Sequence, residues 1–187
     1  MQVSSNILTP QIRVVIFDLD GTLYAKSRMV WRMLCAAPKE WKRMLAERKT
    51  RKQLRGTWLQ NQERFYQTYF QTMATYCHAT PEELRSWYFE RYMPLMVNVI
   101  REYYKPVCWL FPFIEECKKK GIRLVVLSDY GHIHEKLNAL NIDTNIFDLL
   151  IAAPELGGLK PAHQLLEKVA EYMAVTPWGD LYPCHQF

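Results

Sequence analysis

Ile12, Val14, Val15, Ile16 and Phe17 are apolar on both alternating sets of positions, the pattern of a strand buried on both faces of a parallel sheet. IRLVVLS (Ile122 to Ser128) and FDLLIAA (Phe147 to Ala153) read the same way. Helical periodicity separates these runs: Pro112 to Lys120, ended by Gly121, then Glu135 to Leu140, then Pro161 to Ala174. Alternation of this kind predicts a parallel α/β sheet. Between the first two runs, Lys26 to about Tyr104, the period is helical throughout. Leu59, Gln62, Phe65, Tyr66, Tyr69, Phe70, Met73 and Cys77 follow three- and four-residue steps, an aromatic stripe expected to pack against other helices. Thr80-Pro81-Glu82-Glu83 is a capping box that starts a new helix. The fold class is therefore α/β, a Rossmann-like parallel sheet core with an α-helical insertion between its first and second strands.

Composition and charge narrow the class. The chain has 187 residues, 49% of them hydrophobic, enough for one core with a smaller accessory domain. No apolar run approaches the roughly 20 residues that span a bilayer, and MQVSSNILTPQIR lacks a signal-peptide pattern, so no membrane partner and a cytoplasmic location are expected. Five scattered cysteines without a C-x-x-C argue against a disulfide frame or a zinc site. Lys26 to Arg64 holds 12 Lys/Arg against three Asp/Glu, while the rest of the chain is net acidic. A solvated helical face is the plain explanation of that block; steering of an anionic substrate and contact with nucleic acid are the others. Core packing is the expected use of Trp31, Trp41 and Trp58, rather than base stacking.

The chemistry lies at the strand ends. Asp18 and Asp20 follow the first strand, Ser128 ends the second, and Lys160 lies in ELGGLKP after the third. Parallel strands bring their carboxyl ends to one sheet edge, where open α/β sheets bind ligands. Gly21 permits a sharp turn, and Thr22 adds a hydroxyl beside the acids. The set suits phosphoryl transfer. Asp18 can attack phosphorus as a carboxylate, and Asp20 can protonate the leaving oxygen and later deprotonate water. Thr22, Ser128 and Lys160 can meet the phosphoryl oxygens, and the two clustered carboxylates of Asp18 and Asp20, facing a phosphate, call for Mg²⁺ as its ligands. Taken singly, Ser128 could instead cap a helix and Lys160 could be solvated. Asp129 is expected to cap the helix that begins near Gly131.

DLDGT at Asp18 to Thr22, Ser128 in VVLSD, and Lys160-Pro161 after a glycine pair resemble the first three motifs of the haloacid dehalogenase superfamily of phosphatases. The resemblance covers residues 12 to about 177, and the insertion resembles that superfamily's helical cap, giving a core of 1–24 and 106–187 and a cap of 25–105. It implies Asp18 as nucleophile, Asp20 as acid/base and backbone-carbonyl magnesium ligand, and Ser128 and Lys160 as phosphate binders. It also implies a small phosphorylated substrate. The superfamily's dehalogenases lack the second aspartate, so Asp20 favours phosphate chemistry.

The fourth motif departs from the family pattern. Gly179-Asp180 follows Val175 to Trp178 with no room for the expected preceding strand, and no acid follows it, although Asp180 is the candidate for a further metal ligand. The expectation is a shortened or frame-shifted end that leaves the first strand's edge unpaired, marginal and open to self-association. Three readings compete on these grounds. The first is a Mg²⁺-dependent phosphatase of a small phosphorylated metabolite, impaired to the extent that the fourth motif is lost. The second is a catalytically inactive, phosphatase-like binding module. The third is a nucleic-acid binder that uses the basic insertion.

Overall fold

The computed structural model describes residues 12–175 and 181–184. Its sheet contains β1 (Val14–Phe17), β2 (Arg123–Ser128), β3 (Leu149–Ala152) and β4 (Leu181–Cys184), all parallel, in the order β3-β2-β1-β4. Val14 to Phe17 lie opposite Arg123 to Val126, and Val125 to Ser128 lie opposite Leu149 to Ala152. Asp18, Ser128 and the loop after β3 therefore share the carboxyl edge. The central strands are buried on both faces, as their sequence requires. Val15, Phe17, Leu124 and Val126 enter one apolar cluster, while Val14, Ile16, Val125 and Leu127 enter a second with Leu165, Val169 and Met173.

The fourth strand corrects the expectation of an unpaired β1 edge. β4 lies beside β1, Leu181 opposite Val14 and Cys184 opposite Phe17. The strand follows Gly179-Asp180 in sequence instead of preceding it. Two features disguise it as a chain reading: it is four residues long and it contains Pro183, which lacks an amide donor and is tolerated at a sheet edge. With β4 in place, the argument for self-association through β1 loses its premise. Asp180 itself lies outside the described residues.

Between β1 and β2 the described chain is helical: α1 (Met29–Ala36), α2 (Trp41–Gln53), α3 (Gln62–Ala74), α4 (Pro81–Trp87) and α5 (Met93–Tyr103). The capping box at α4 forms in both directions. Thr80 N donates to Glu83 Oε2 at 2.9 Å and Glu83 N to Thr80 Oγ1 at 3.2 Å. A π-helical turn over Tyr88–Tyr92 joins α4 to α5 and sets Tyr88 and Phe89 against the rings of α3, with Tyr92 stacked on Tyr88. The aromatic stripe is thus core, as its periodicity predicts. Phe65, Tyr69 and Met96 share one apolar cluster with Val15 and Phe17, so the insertion packs continuously onto one sheet face. The tryptophans depart from expectation: Trp31 and Trp41 are 65% and 48% exposed, and of the three only Trp58 is packed against the core. On the core side, α6 (Leu110–Lys119) precedes β2, α7 (Ile133–Ala139) follows it, and α8 (His163–Met173) follows β3. Among the described residues, no helix is long and apolar enough to cross a membrane.

Candidate active site

Asp18 leaves β1 into a turn closed by Thr22 N and Leu23 N on Leu19 O at 3.2 and 3.1 Å. Thr22 Oγ1 donates to Asp18 Oδ2 at 3.3 Å. Lys160 Nζ donates to Asp18 Oδ1 and, at 2.7 Å, to the carbonyl of Leu127 on β2. A strand-end carboxylate is thereby fixed from its own turn and from the loop after β3.

That loop is held by close backbone approach. Leu59 N donates to Gly157 O at 2.7 Å, Leu159 N to Thr57 O at 3.1 Å, and Gly56 N to Lys160 O at 3.2 Å. A Cβ on Gly157 would stand 2.4 Å from Asn61 N, and one on Gly158 would stand 2.7 Å from Thr57 O. The glycine pair before Lys160 is thus the condition for seating the insertion's 56–61 segment on the core loop.

Asp20 is 8% exposed and accepts from every side. Tyr24 OH donates at 2.7 Å, Ser128 Oγ at 2.9 Å, and Lys136 Nζ at 2.9 Å to each carboxylate oxygen. Burial by itself would raise the Asp20 pKa. The Lys136 charge and these hydrogen bonds outweigh it and hold the carboxyl below its ordinary value. Lys136, itself wholly buried on α7, loses basicity to burial and regains part of it from Asp20. Tyr130 N donates to Ser128 Oγ at 3.0 Å, so the Ser128 hydroxyl is engaged internally. Ser128 and Thr22 are both buried and do not line the cleft described below; each places a carboxylate.

Asp129 does not cap α7, whose N-cap residue, His132, makes no side-chain cap bond. Asp129 Oδ1 accepts instead from Lys160 N at 2.9 Å. Burial raises its pKa, while the Lys160 charge and that backbone bond oppose the rise.

From the insertion, Arg51 reaches the same place. Its Nε donates to Glu47 Oε1 at 2.8 Å, Nη1 to the Asp129 carbonyl at 2.7 Å, and Nη2 to the hydroxyls of Tyr69 and Tyr88 at 3.1 and 3.2 Å. Buried Glu47 also accepts from Tyr69 OH at 2.8 Å and Tyr92 OH at 3.1 Å. The Tyr130 ring carries Arg51 3.7 Å and Lys136 4.8 Å from its centroid. One charged network thus joins α2, the end of β2 and α7.

A cleft of about 810 Å³ opens over Asp18. Asp18, Asp20, Asp129, Lys160, Lys26, Arg48, Arg51, Lys52 and Arg55 line it together with Tyr130, Leu159 and Pro161. The basic block is therefore more than a solvated face, because four of its α2-region cations look toward the nucleophile candidate. A hollow of about 370 Å³ adjoins, shares Asp20, Lys26, Arg48 and Tyr130 with the cleft, and is apolar through Met29, Met33, Met44 and Met96. Among the described residues, no group of three or more His, Cys, Asp or Glu is placed to hold a metal ion. Asp18 and Asp129 nevertheless offer hard oxygens to the cleft, and Mg²⁺ takes one or two carboxylates while keeping waters. The donors fit such an ion in kind, with Lys160 competing for Asp18.

Asp18, Asp20, Thr22, Ser128 and Lys160 are thus brought together from three strand ends. Lys136 and Glu47 were missed, although each leaves a trace in the chain. Lys136 sits with Ile133, Leu137 and Leu140 on an apolar three-and-four spacing, and Glu47 sits between Met44 and Leu54 on another.

A sequence model of haloacid dehalogenase-like hydrolases matches residues 12–177. No curated protein sequence matches. Among solved structures, the chain is similar to a predicted phosphoglycolate phosphatase from Haemophilus somnus 129pt, with TM-score 0.60 and 15% identity over 92% of this chain and 77% of that one. It is similar to CbbY from Rhodobacter sphaeroides in complex with phosphate, with TM-score 0.56 and 19% identity over 92% and 76%. The L-2-haloacid dehalogenase from Xanthobacter autotrophicus is also similar, with TM-score 0.56 and 17% identity over 92% and 69%. At these identities the likeness is one of fold.

Proposed function

This chain belongs to the haloacid dehalogenase-like hydrolase family, and from that premise we propose that it hydrolyses a phosphate monoester through an aspartyl phosphate on Asp18. The observation that carries the reading is a cleft rich in Lys and Arg gathered over one strand-end carboxylate, with a second carboxylate two residues on. An Asp18 oxygen attacks phosphorus, and the bond from phosphorus to the alcohol oxygen breaks. Asp20 gives that oxygen its proton. Water then attacks the phosphorus of the intermediate, Asp20 takes its proton, and the bond from phosphorus to Asp18 breaks to release phosphate.

Lys160 and Arg51 balance charge on the phosphoryl oxygens, Thr22 and Ser128 hold the two carboxylates in place, and the helical insertion acts as the cap that excludes water. Asp18, with the backbone carbonyl of Asp20, would hold Mg²⁺, which when bound neutralises phosphate charge. Lys136 favours the base form of Asp20, so alcohols that leave without much help are the best substrates.

The test is hydrolysis of p-nitrophenyl phosphate by the purified chain with Mg²⁺, beside EDTA and the Asp18→Asn variant. Turnover that EDTA abolishes and Asp18→Asn lowers to below about one-thousandth is expected. Turnover that survives Asp18→Asn, or none from folded protein, overturns the reading.

A further inference from the structure

We propose that the ligand of this site carries, besides the phosphoryl group over Asp18, a second dianionic group of the phosphate class, met by Lys26, Arg48, Lys52 and Arg55. The proposal deepens the phosphatase reading and, as a statement about substrate, rests on it.

Three cations around the nucleophile are already paired. Lys160 is on Asp18, Lys136 on Asp20, and Arg51 on Glu47. Lys26, Arg48, Lys52 and Arg55 remain. All four are exposed, all line the cleft, and among the described residues none has an ion-pair or hydrogen-bonding side-chain partner. The cleft carboxylate left without a salt bridge is Asp129, one charge against four cations.

Arg48 and Lys52 stand at i,i+4 on α2, and Arg55 follows three residues later. Like charges at this spacing destabilise a helix. Basic residues near a helix carboxyl end do gain from its partial negative charge, which accounts for Lys52 and Arg55. It does not account for Arg48, nor for Lys26, which comes from the turn after β1 and converges on the same cleft. An anion placed among the four removes their mutual repulsion. A single transferred phosphoryl group, whose charge Lys160 and Arg51 are proposed to balance, brings no further negative charge for these four, whereas a second phosphate-class group on the same ligand does.

The experiment compares butane-1,4-bisphosphonate with butylphosphonate by titration calorimetry in EDTA, so that it reads binding without turnover. The bisphosphonate is expected to bind at least about tenfold tighter, and that ratio is expected to fall toward one in the Arg48→Gln/Lys52→Gln/Arg55→Gln variant. A control with Lys39→Gln, Lys42→Gln and Lys119→Gln carries the same change of net charge outside the cleft and should keep the ratio. Equal binding of the two probes, or loss of the ratio in the control, overturns the proposal. So does tighter binding of octylphosphonate than of the bisphosphonate, which would make the methionine-lined hollow the recognition element. Turnover of p-nitrophenyl phosphate by the same preparations separates the two readings. Turnover without the preference removes the second-anion site alone, and the preference without turnover removes the phosphatase and keeps the site.

Discussion

Asp20 and Lys136 form a buried pair in which neither partner is spared by solvent. Removing one side of such a pair leaves the other charged and unmatched, at a cost of about 3–5 kcal/mol. Lys136→Met should cost that much at pH 7, measured by urea unfolding. In the wild type, Asp20 has a lowered folded pKa, so its stabilisation is present above the unfolded carboxyl range and is lost as pH falls through the folded value. In the variant, burial without Lys136 raises the folded pKa, so acid relieves the penalty. Both effects shrink the deficit on acidification, and a deficit that grows instead would contradict the pairing. The same lowered pKa has a kinetic consequence, because the acid form of Asp20 becomes scarcer with every step up in pH. Between pH 5 and 8, kcat for an alkyl phosphate should fall by up to about tenfold per pH unit, while p-nitrophenyl phosphate, whose leaving group needs no proton, should hold steadier. Parallel profiles for the two substrates would remove Asp20 as the acid. At this scale Asp18, Asp20 and Ser128 were legible because strand ends mark themselves by an abrupt switch from apolar to polar, and Lys160 because a glycine pair precedes it. Lys136 and Glu47 were visible as charges on apolar stripes, but their meaning depends on partners 116 and 45 residues away, Asp20 and Tyr92.

Elements built by local rules were legible almost to the residue. The α4 capping box is one case, and the doubly buried β1 and β2 are others, since each is decided by neighbours in sequence. The seating of Lys160 is decided by two elements at once. Its loop meets the 56–61 segment backbone to backbone, and Gly157, at φ 91°, has Asn61 N where a side chain would go. Gly157→Ala adds the left-handed cost of about 1–2 kcal/mol to a clash with main chain that no side-chain rotation relieves. A loss of at least about 2 kcal/mol in chemical unfolding is expected, with kcat falling as Lys160 leaves Asp18. Unchanged stability and kcat would mean that this contact does not hold the loop. The glycine pair was legible as a motif, but its partner strand of chain was not, because nothing in 56–61 announces a backbone that must come this close.

At the level of the molecule, β1 carries the nucleophile at its end and lies between β2 and β4, so the site's position depends on both neighbours. The β2 side is reinforced by a long strand and by Lys160 on Leu127 O. The β4 side rests on four residues, Leu181 to Cys184, one of them a proline. Its short length and lack of an apolar run concealed it in the sequence, where recognition needs a pattern longer than the pairing itself. Deleting residues 181–187 tests how much the edge contributes. Each ladder hydrogen bond nets about 1 kcal/mol, so loss of the strand should lower stability by several such increments and open the β1 edge to intermolecular pairing. The expected outcome is a lower thermal midpoint together with a shift to larger, concentration-dependent species in size-exclusion chromatography. Amide exchange separates this from general unfolding: the β1 amides that face β4 should lose protection, while those that face β2, and Leu124–Leu127, hold theirs. A shortened chain that stays monomeric, with β1 amides as slow as before, would show that β1 is held by β2 and the flanking helices alone, and that the fourth strand follows the sheet without supporting it.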